Sequence, residues 1–259
     1  GFIAGATGAS YNASLTGSYH VRITNQTGCI SNSNSVAVTV NSQPASSIST
    51  FTPTTFCNGG SVIMYATNYS NASYQWRKNG VDITGATSQT YSANTSGLYD
   101  VRITLNSTGC SKLSFQVTVT VLPLPAATAT PLGPTTFCSG SGVNLSANSG
   151  TGLTYQWYKY TNPVSGAVQQ NYYATTSGKY KVQVTDANGC SRKSASITVT
   201  SVALPSAVIT AQGPTTFCAG DSVTLTANSG TGLTYQWKRY SYNIAGATGI
   251  SYTAKNAGK

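Results

Sequence analysis

Six cysteines carry the only regular spacing in this chain from which covalent chemistry could be built. Cys57, Cys138 and Cys218 each close the pentapeptide Pro-Thr-Thr-Phe-Cys, at steps of 81 and 80 residues. Cys29, Cys110 and Cys190 each follow a glycine, again at steps of 81 and 80. Cysteines fixed in a repeat and flanked by glycine in turns point to an oxidising compartment and to structural disulfides. No Cys-x-x-Cys and no neighbouring histidine gives them the spacing of a zinc site. The rest of the reactive inventory is thin: one histidine, His20, no glutamate, and four aspartates, Asp82, Asp100, Asp186 and Asp221. Acid–base and glycosidase chemistry needs positioned or paired carboxylates, yet no aspartate recurs between repeats. Serine and threonine are abundant but have no histidine base. Glycine-rich pieces such as Ser149-Gly-Thr-Gly152 join strand to strand, with no helix to hold a phosphate. The expectation is a non-enzyme that needs no metal and no cofactor.

The elements that must position these cysteines recur with the same period of about eighty residues, and self-similarity at a fixed period is the mark of an array. Val62, Met64 and Ala66 recur as Val143, Leu145, Ala147 and Val223, Leu225, Ala227, alternating with polar neighbours in the two later copies, a period of two that predicts half-buried strands. Tyr74-Gln75-Trp76 returns as Tyr155-Gln156-Trp157 and Tyr235-Gln236-Trp237, which puts Tyr and Trp on one face and Gln on the other. Tyr99, Val101 and Ile103 are expected inward and Asp100 and Arg102 outward, with Tyr19, Val21, Ile23 and Tyr180, Val182, Val184 as the counterparts. Asp82 is placed in a turn and His20 outward on the Tyr strand. Asp186-Ala-Asn-Gly189 is a turn signal, and proline-bearing pieces such as Leu122-Pro-Leu-Pro125 read as short, stiff linkers. No helical period appears. The expected organisation is an incomplete repeat over 1–43, complete repeats over 44–123 and 124–203, and a second incomplete repeat over 204–259. Residues 1–18 align with 242–259, which reads as a window cut from a longer array.

Composition narrows the class further. Only 7% of the 259 residues are charged while 39% are hydrophobic, a balance that fits a secreted β-protein with a neutral polar surface. The net charge of +10 arises from 14 Lys and Arg against four acids. Those cations are scattered from Arg22 to Lys259 rather than gathered in the stripe of a nucleic-acid binder. No apolar run reaches the length of a membrane span.

Short strands, regular turns, a Trp on the third strand and a Tyr opening the penultimate one make the pattern of the immunoglobulin-like sandwich. The repeats resemble the immunoglobulin-like and polycystic-kidney-disease-type repeats of large bacterial surface and secreted proteins, of the adhesion and gliding type with a C-terminal sorting domain. GPTTFCAGDSVTLTANSG at 213–230, YQWYKY at 155–160 and VTDANGC at 184–190 carry the resemblance. It implies an all-β fold, a tandem array of immunoglobulin-like β-sandwich domains, with Trp76, Trp157, Trp237, Tyr19, Tyr99 and Tyr180 as core markers. Two departures stand out. Val21, Val101 and Val182 replace the cysteine that would cross the core, and Tyr158-Lys-Tyr160 and Lys238-Arg-Tyr240 stand where an acidic, calcium-binding cluster would lie.

In this topology the Pro-Thr-Thr-Phe-Cys cysteine lies at the C-terminal end of its domain and the Gly-Cys turn at the N-terminal end. A strand of seven residues separates those ends by roughly 23 Å, beyond the Cα separation of about 4.4–6.8 Å that a disulfide tolerates. The favoured pairing therefore joins neighbours, Cys57 to Cys190, and leaves Cys29, Cys110, Cys138 and Cys218 to partners elsewhere. If the first strand leaves its usual path, Cys57 with Cys110 and Cys138 with Cys190 return as the alternative.

The function expected is the shaft of an extracellular bacterial surface fibre or adhesin, its partners being neighbouring repeats or copies of itself. The alternative is a set of accessory spacer or glycan-binding repeats in a secreted polysaccharide-degrading enzyme, and a third reading is a filament built by strand exchange. Tyr158, Tyr160, Tyr240 and Tyr242, with Tyr172, are the candidate surface for polysaccharide or a cell surface.

Overall fold

The computed structural model describes residues 1–255; Lys259, one of the scattered cations, lies outside the described residues. Every regular element is a β-strand, and among the described residues there is no helix. The chain divides into two compact units, one of Gly1–Ala126 with Thr185–Arg192, the other of Ala127–Val184 with the chain from Lys193 onward.

In the first unit, the repeat that begins near Pro44 folds as two facing sheets. One is three-stranded, in the order Thr90–Ala93, Val62–Ala66, Ile48–Thr50. The other runs Thr55–Cys57, Val117–Leu122, Gly97–Leu105, Ala72–Lys78, Val81–Asp82, with Ser111–Leu113 also paired to Gly97–Leu105. The opening strand thus changes sheets between Thr50 and Thr55. Pro53, which cannot donate a ladder hydrogen bond, lies at that crossing. The second half of the strand then runs parallel to the last one, with Thr120 opposite Thr55 and Leu122 opposite Cys57. Two antiparallel-built sheets joined by a sheet-switching first strand make an immunoglobulin-like sandwich.

The alternating pattern sets the core. Val62, Met64, Trp76, Val101 and Ile103 have no exposed surface, and Tyr99 and Ala93 join them. Burying such side chains contributes about 1.5–3 kcal/mol each. The Trp76 indole stacks on Tyr91 at 5.8 Å and donates its N–H to the Ser88 carbonyl, so its polar edge is satisfied inside the core. The Tyr99 hydroxyl donates to the Thr95 carbonyl, pinning the loop that enters its strand.

The second unit repeats this plan. Ala129–Pro131, Val143–Ala147 and Asn171–Ala174 make the three-stranded sheet. Its six-stranded partner includes Thr136–Cys138 parallel to Ile197–Val202. Trp157 and Tyr180 are wholly buried, with indole and hydroxyl bonded to the carbonyls of Gln169 and Thr176.

Three expectations need correction. Asp100 points away from the core but is not solvated: it is 3% exposed, because Arg77 on the adjoining strand lies across it. Val21 and Ile23 were expected inward but are 51% and 63% exposed, since residues 1–43 form only two small strand pairs with no second sheet over that face. Asp82 ends a two-residue edge strand rather than sitting in a turn, and pairs with Arg102 at 3.3 Å. His20 is exposed.

Candidate functional site

The cysteine that closes Thr55–Cys57 is fixed by backbone on both sides. Asn58 N–H donates to the Leu122 carbonyl, and Gly60 N–H donates back to the Cys57 carbonyl. This holds Cys57 at the end of the last strand of its own sandwich. The Gly-Cys turn lies at the other end, beyond the nine-residue strand Gly97–Leu105, which spans about 30 Å. Cys110 is therefore out of reach of Cys57.

Cys190 is positioned by a different device. The Asp186 carboxylate accepts from the backbone N–H of Asn188 and of Cys190, while the Asp186 N–H donates to the Cys190 carbonyl. Gly189 completes the turn at φ 81°, a left-handed conformation that glycine adopts without steric cost. The same turn around Cys29 uses Asn25 in place of the aspartate. Asp186 is thus a structural clamp rather than an acid or base.

Cys57 and Cys190 form a disulfide, with Cα atoms 5.5 Å apart and a sequence separation of 133. The bond lies in the first unit, which includes Thr185–Arg192. It joins one repeat to the next in sequence, not two ends of one repeat. Cys190 is fully buried. Cys29, Cys110, Cys138 and Cys218 are free thiols.

On the outer face of the six-stranded sheet the two sandwiches carry different side chains. In the earlier one Arg77 Nε lies 3.0 Å from Asp100 Oδ1 without the alignment of a hydrogen bond, and Gln116 donates to Asp100 Oδ2. In the later one Tyr158 is half-buried, its hydroxyl 3.1 Å from Gln183 Oε1 and its ring 4.1 Å beneath Lys193 Nζ. Tyr160, Tyr240 and Tyr242 are exposed. Tyr172 is not on this surface, since it stacks between Trp157 and Tyr180 in the core. Tyr160 and Tyr240 each take φ 56° where the sister repeat has Asn79-Gly80, so two bulky residues occupy a left-handed position that suits Asn or Gly.

Sequence reasoning missed two recurrent supports. Ser114 and Ser194, both buried, accept from the N–H of Val101 and Val182 and donate to the carbonyls of Phe115 and Ala195, at the break in the last strand. Lys78 and Lys159 donate to Thr95 and Thr176, beside the tyrosine hydroxyls. The signal was the recurrence of Ser33, Ser114 and Ser194 four residues after each turn cysteine.

Among the described residues no three His, Cys, Asp or Glu side chains gather as metal ligands, and no helix is long and apolar enough to cross a membrane. No family model matches the chain, and no curated protein matches it. Solved structures with a similar chain path include three N-terminal domains of the highly immunogenic outer capsid protein Hoc of bacteriophage RB49 (18% identity, 74% of this chain and 73% of that one, TM-score 0.31). A marsupial T cell receptor is similar at 16% identity over 70% and 80% of the two chains, with a TM-score of 0.35. Fibronectin(III)-like modules of Clostridium thermocellum CbhA are similar at 12% identity over 60% and 94%, with a TM-score of 0.31. None of these likenesses assigns a ligand or an activity to this chain.

Proposed function

We infer that this chain is part of the shaft of an extracellular bacterial surface fibre or adhesin, in which immunoglobulin-like repeats supply length, spacing and resistance to load. The observation that carries this reading is the bond between Cys57 and Cys190. A bond within a domain stabilises that domain. A bond from one repeat to the next holds an array together and serves no catalytic purpose. The same bond supports an oxidising, extracellular setting. The aspartates are already committed as ion pairs or turn clamps at Asp82, Asp100 and Asp186, which leaves no pair of carboxylates for hydrolysis. Negative-stain electron microscopy of the native material tests the reading. Rods with an axial repeat of one domain length are expected, and flexible strings of separate particles in oxidised material would overturn it.

A second reading rests on the exposed tyrosines. Tyr160 and Tyr240 at φ 56° hold bulky rings outward at a conformational cost, and strained residues concentrate at binding sites. Tyr158 and Tyr160 in one repeat, and Tyr240 and Tyr242 in the next, are the candidate glycan-binding positions of an accessory module. Affinity electrophoresis through neutral and acidic polysaccharide gels distinguishes the two, because retardation lost in Tyr160→Ala and Tyr240→Ala variants favours glycan binding.

A further inference from the structure

The free cysteines occupy the same two kinds of place as the bonded pair. Cys138 ends a strand parallel to Ile197–Val202, opposite Val202, as Cys57 lies opposite Leu122. Its backbone is held alike: Ser139 N–H donates to the Val202 carbonyl, and Ser141 N–H to the Cys138 carbonyl. The Cys138 side chain is exposed.

Cys110 shows the other half of the joint. It is the counterpart of Cys190, and its thiol lies 3.7 Å from the Asn41 carbonyl. Asn41 stands 81 residues before Leu122, and Val38 pairs with Gly17 as Val119 pairs with Gly97. Asn41 is thus the counterpart of Leu122, the residue that lies opposite Cys57 in the bonded joint. The Cys110 thiol already faces the place where the Pro-Thr-Thr-Phe-Cys strand of a preceding repeat would present its cysteine.

We propose that Cys110 and Cys138 are half-sites of the same cross-link. Cys138 bonds the Gly-Cys turn of a following repeat, and Cys110 bonds the Pro-Thr-Thr-Phe-Cys strand of a preceding one. This rests on the reading of the chain as an array of like repeats, and it makes the staple a property of every joint. In each cross-link two thiols lose two protons and two electrons, the sulfur–sulfur bond forms, and an external disulfide is reduced to two thiols. Oxidised glutathione serves as that disulfide in the test. A consequence follows for load: the covalent path enters a repeat at its turn cysteine, leaves by the next Pro-Thr-Thr-Phe-Cys cysteine, and bypasses the Trp strands altogether.

The test lengthens the full chain by a copy of residues 180–203 placed after Lys259, which supplies a Tyr strand, a Gly-Cys turn and a last strand. Both chains are refolded with oxidised and reduced glutathione, alkylated and mapped without reduction. In the parent, Cys138 is alkylated. In the lengthened chain it is protected at least tenfold and recovered bonded to the added turn cysteine, while Cys218 stays reactive. A bond between the added cysteine and Cys218 overturns the proposal. So does an alkylated Cys138 once the added repeat resists protease. If that repeat is digested, native material decides: Cys138 must be recovered bonded to a Gly-Cys peptide, and a free Cys138 there overturns the proposal. Closure of Cys138 in material that electron microscopy shows to be non-fibrous would keep the cross-link and reject the shaft.

Discussion

The tyrosine hydroxyls and the buried serines of the last strand decide how firmly each sandwich is closed. Ser194 Oγ satisfies a backbone N–H and a carbonyl at once inside the protein, so Ser194→Ala strands buried polar groups. A loss of about 1–3 kcal/mol is expected by denaturant unfolding, against under about 0.5 kcal/mol for an exposed control such as Ser196→Ala. Tyr91 and Tyr172 titrate above the ordinary phenol value of 10.0, first because burial disfavours the charged form and second because a neighbouring phenol, Tyr99 or Tyr180, repels it. A proton held more tightly in the folded state gives stability that is complete below the unfolded pKa and is lost as pH rises through the folded one. Alkaline titration by phenolate absorbance should therefore show a late class of tyrosines whose ionisation coincides with unfolding above pH 10. At this scale the sequence was partly legible. Trp76 and Tyr99 announced themselves by recurrence, whereas the burial of Asp100 depends on Arg77 and Gln116, which the other repeats do not share.

At the scale of the element, the strand pattern was legible because period two and the repeat length agree over several copies, which fixes register as well as face. Residues 1–43 were not legible in the same way. Val21 and Ile23 keep the alternation of a buried strand, but burial needs a facing sheet that residues 1–43 do not contain. The two-residue turn after the Trp strand was also hidden, since nothing in Lys159-Tyr160 signals φ above zero. Replacing Tyr160 with glycine should relieve that backbone and raise stability by about 1 kcal/mol. A fall in stability would mean that the ring packs against the protein rather than facing a ligand.

For the whole molecule the Cys57–Cys190 bond is the organising fact, and its pairing was legible only through topology: the two ends of one sandwich lie too far apart. Removing it with Cys57→Ser and Cys190→Ser together should cost about 2–5 kcal/mol and separate the repeats into independent thermal transitions. The most direct test of a load-bearing, stapled array is single-molecule pulling on the two ends of the chain. With the bond intact, the 133 residues it spans stay out of the force path even after their sandwiches unfold. Adding reductant should then release about 450 Å of further contour length, at roughly 3.3–3.6 Å per residue. Equal lengths with and without reductant would contradict the account, because the bond would then carry no load between repeats.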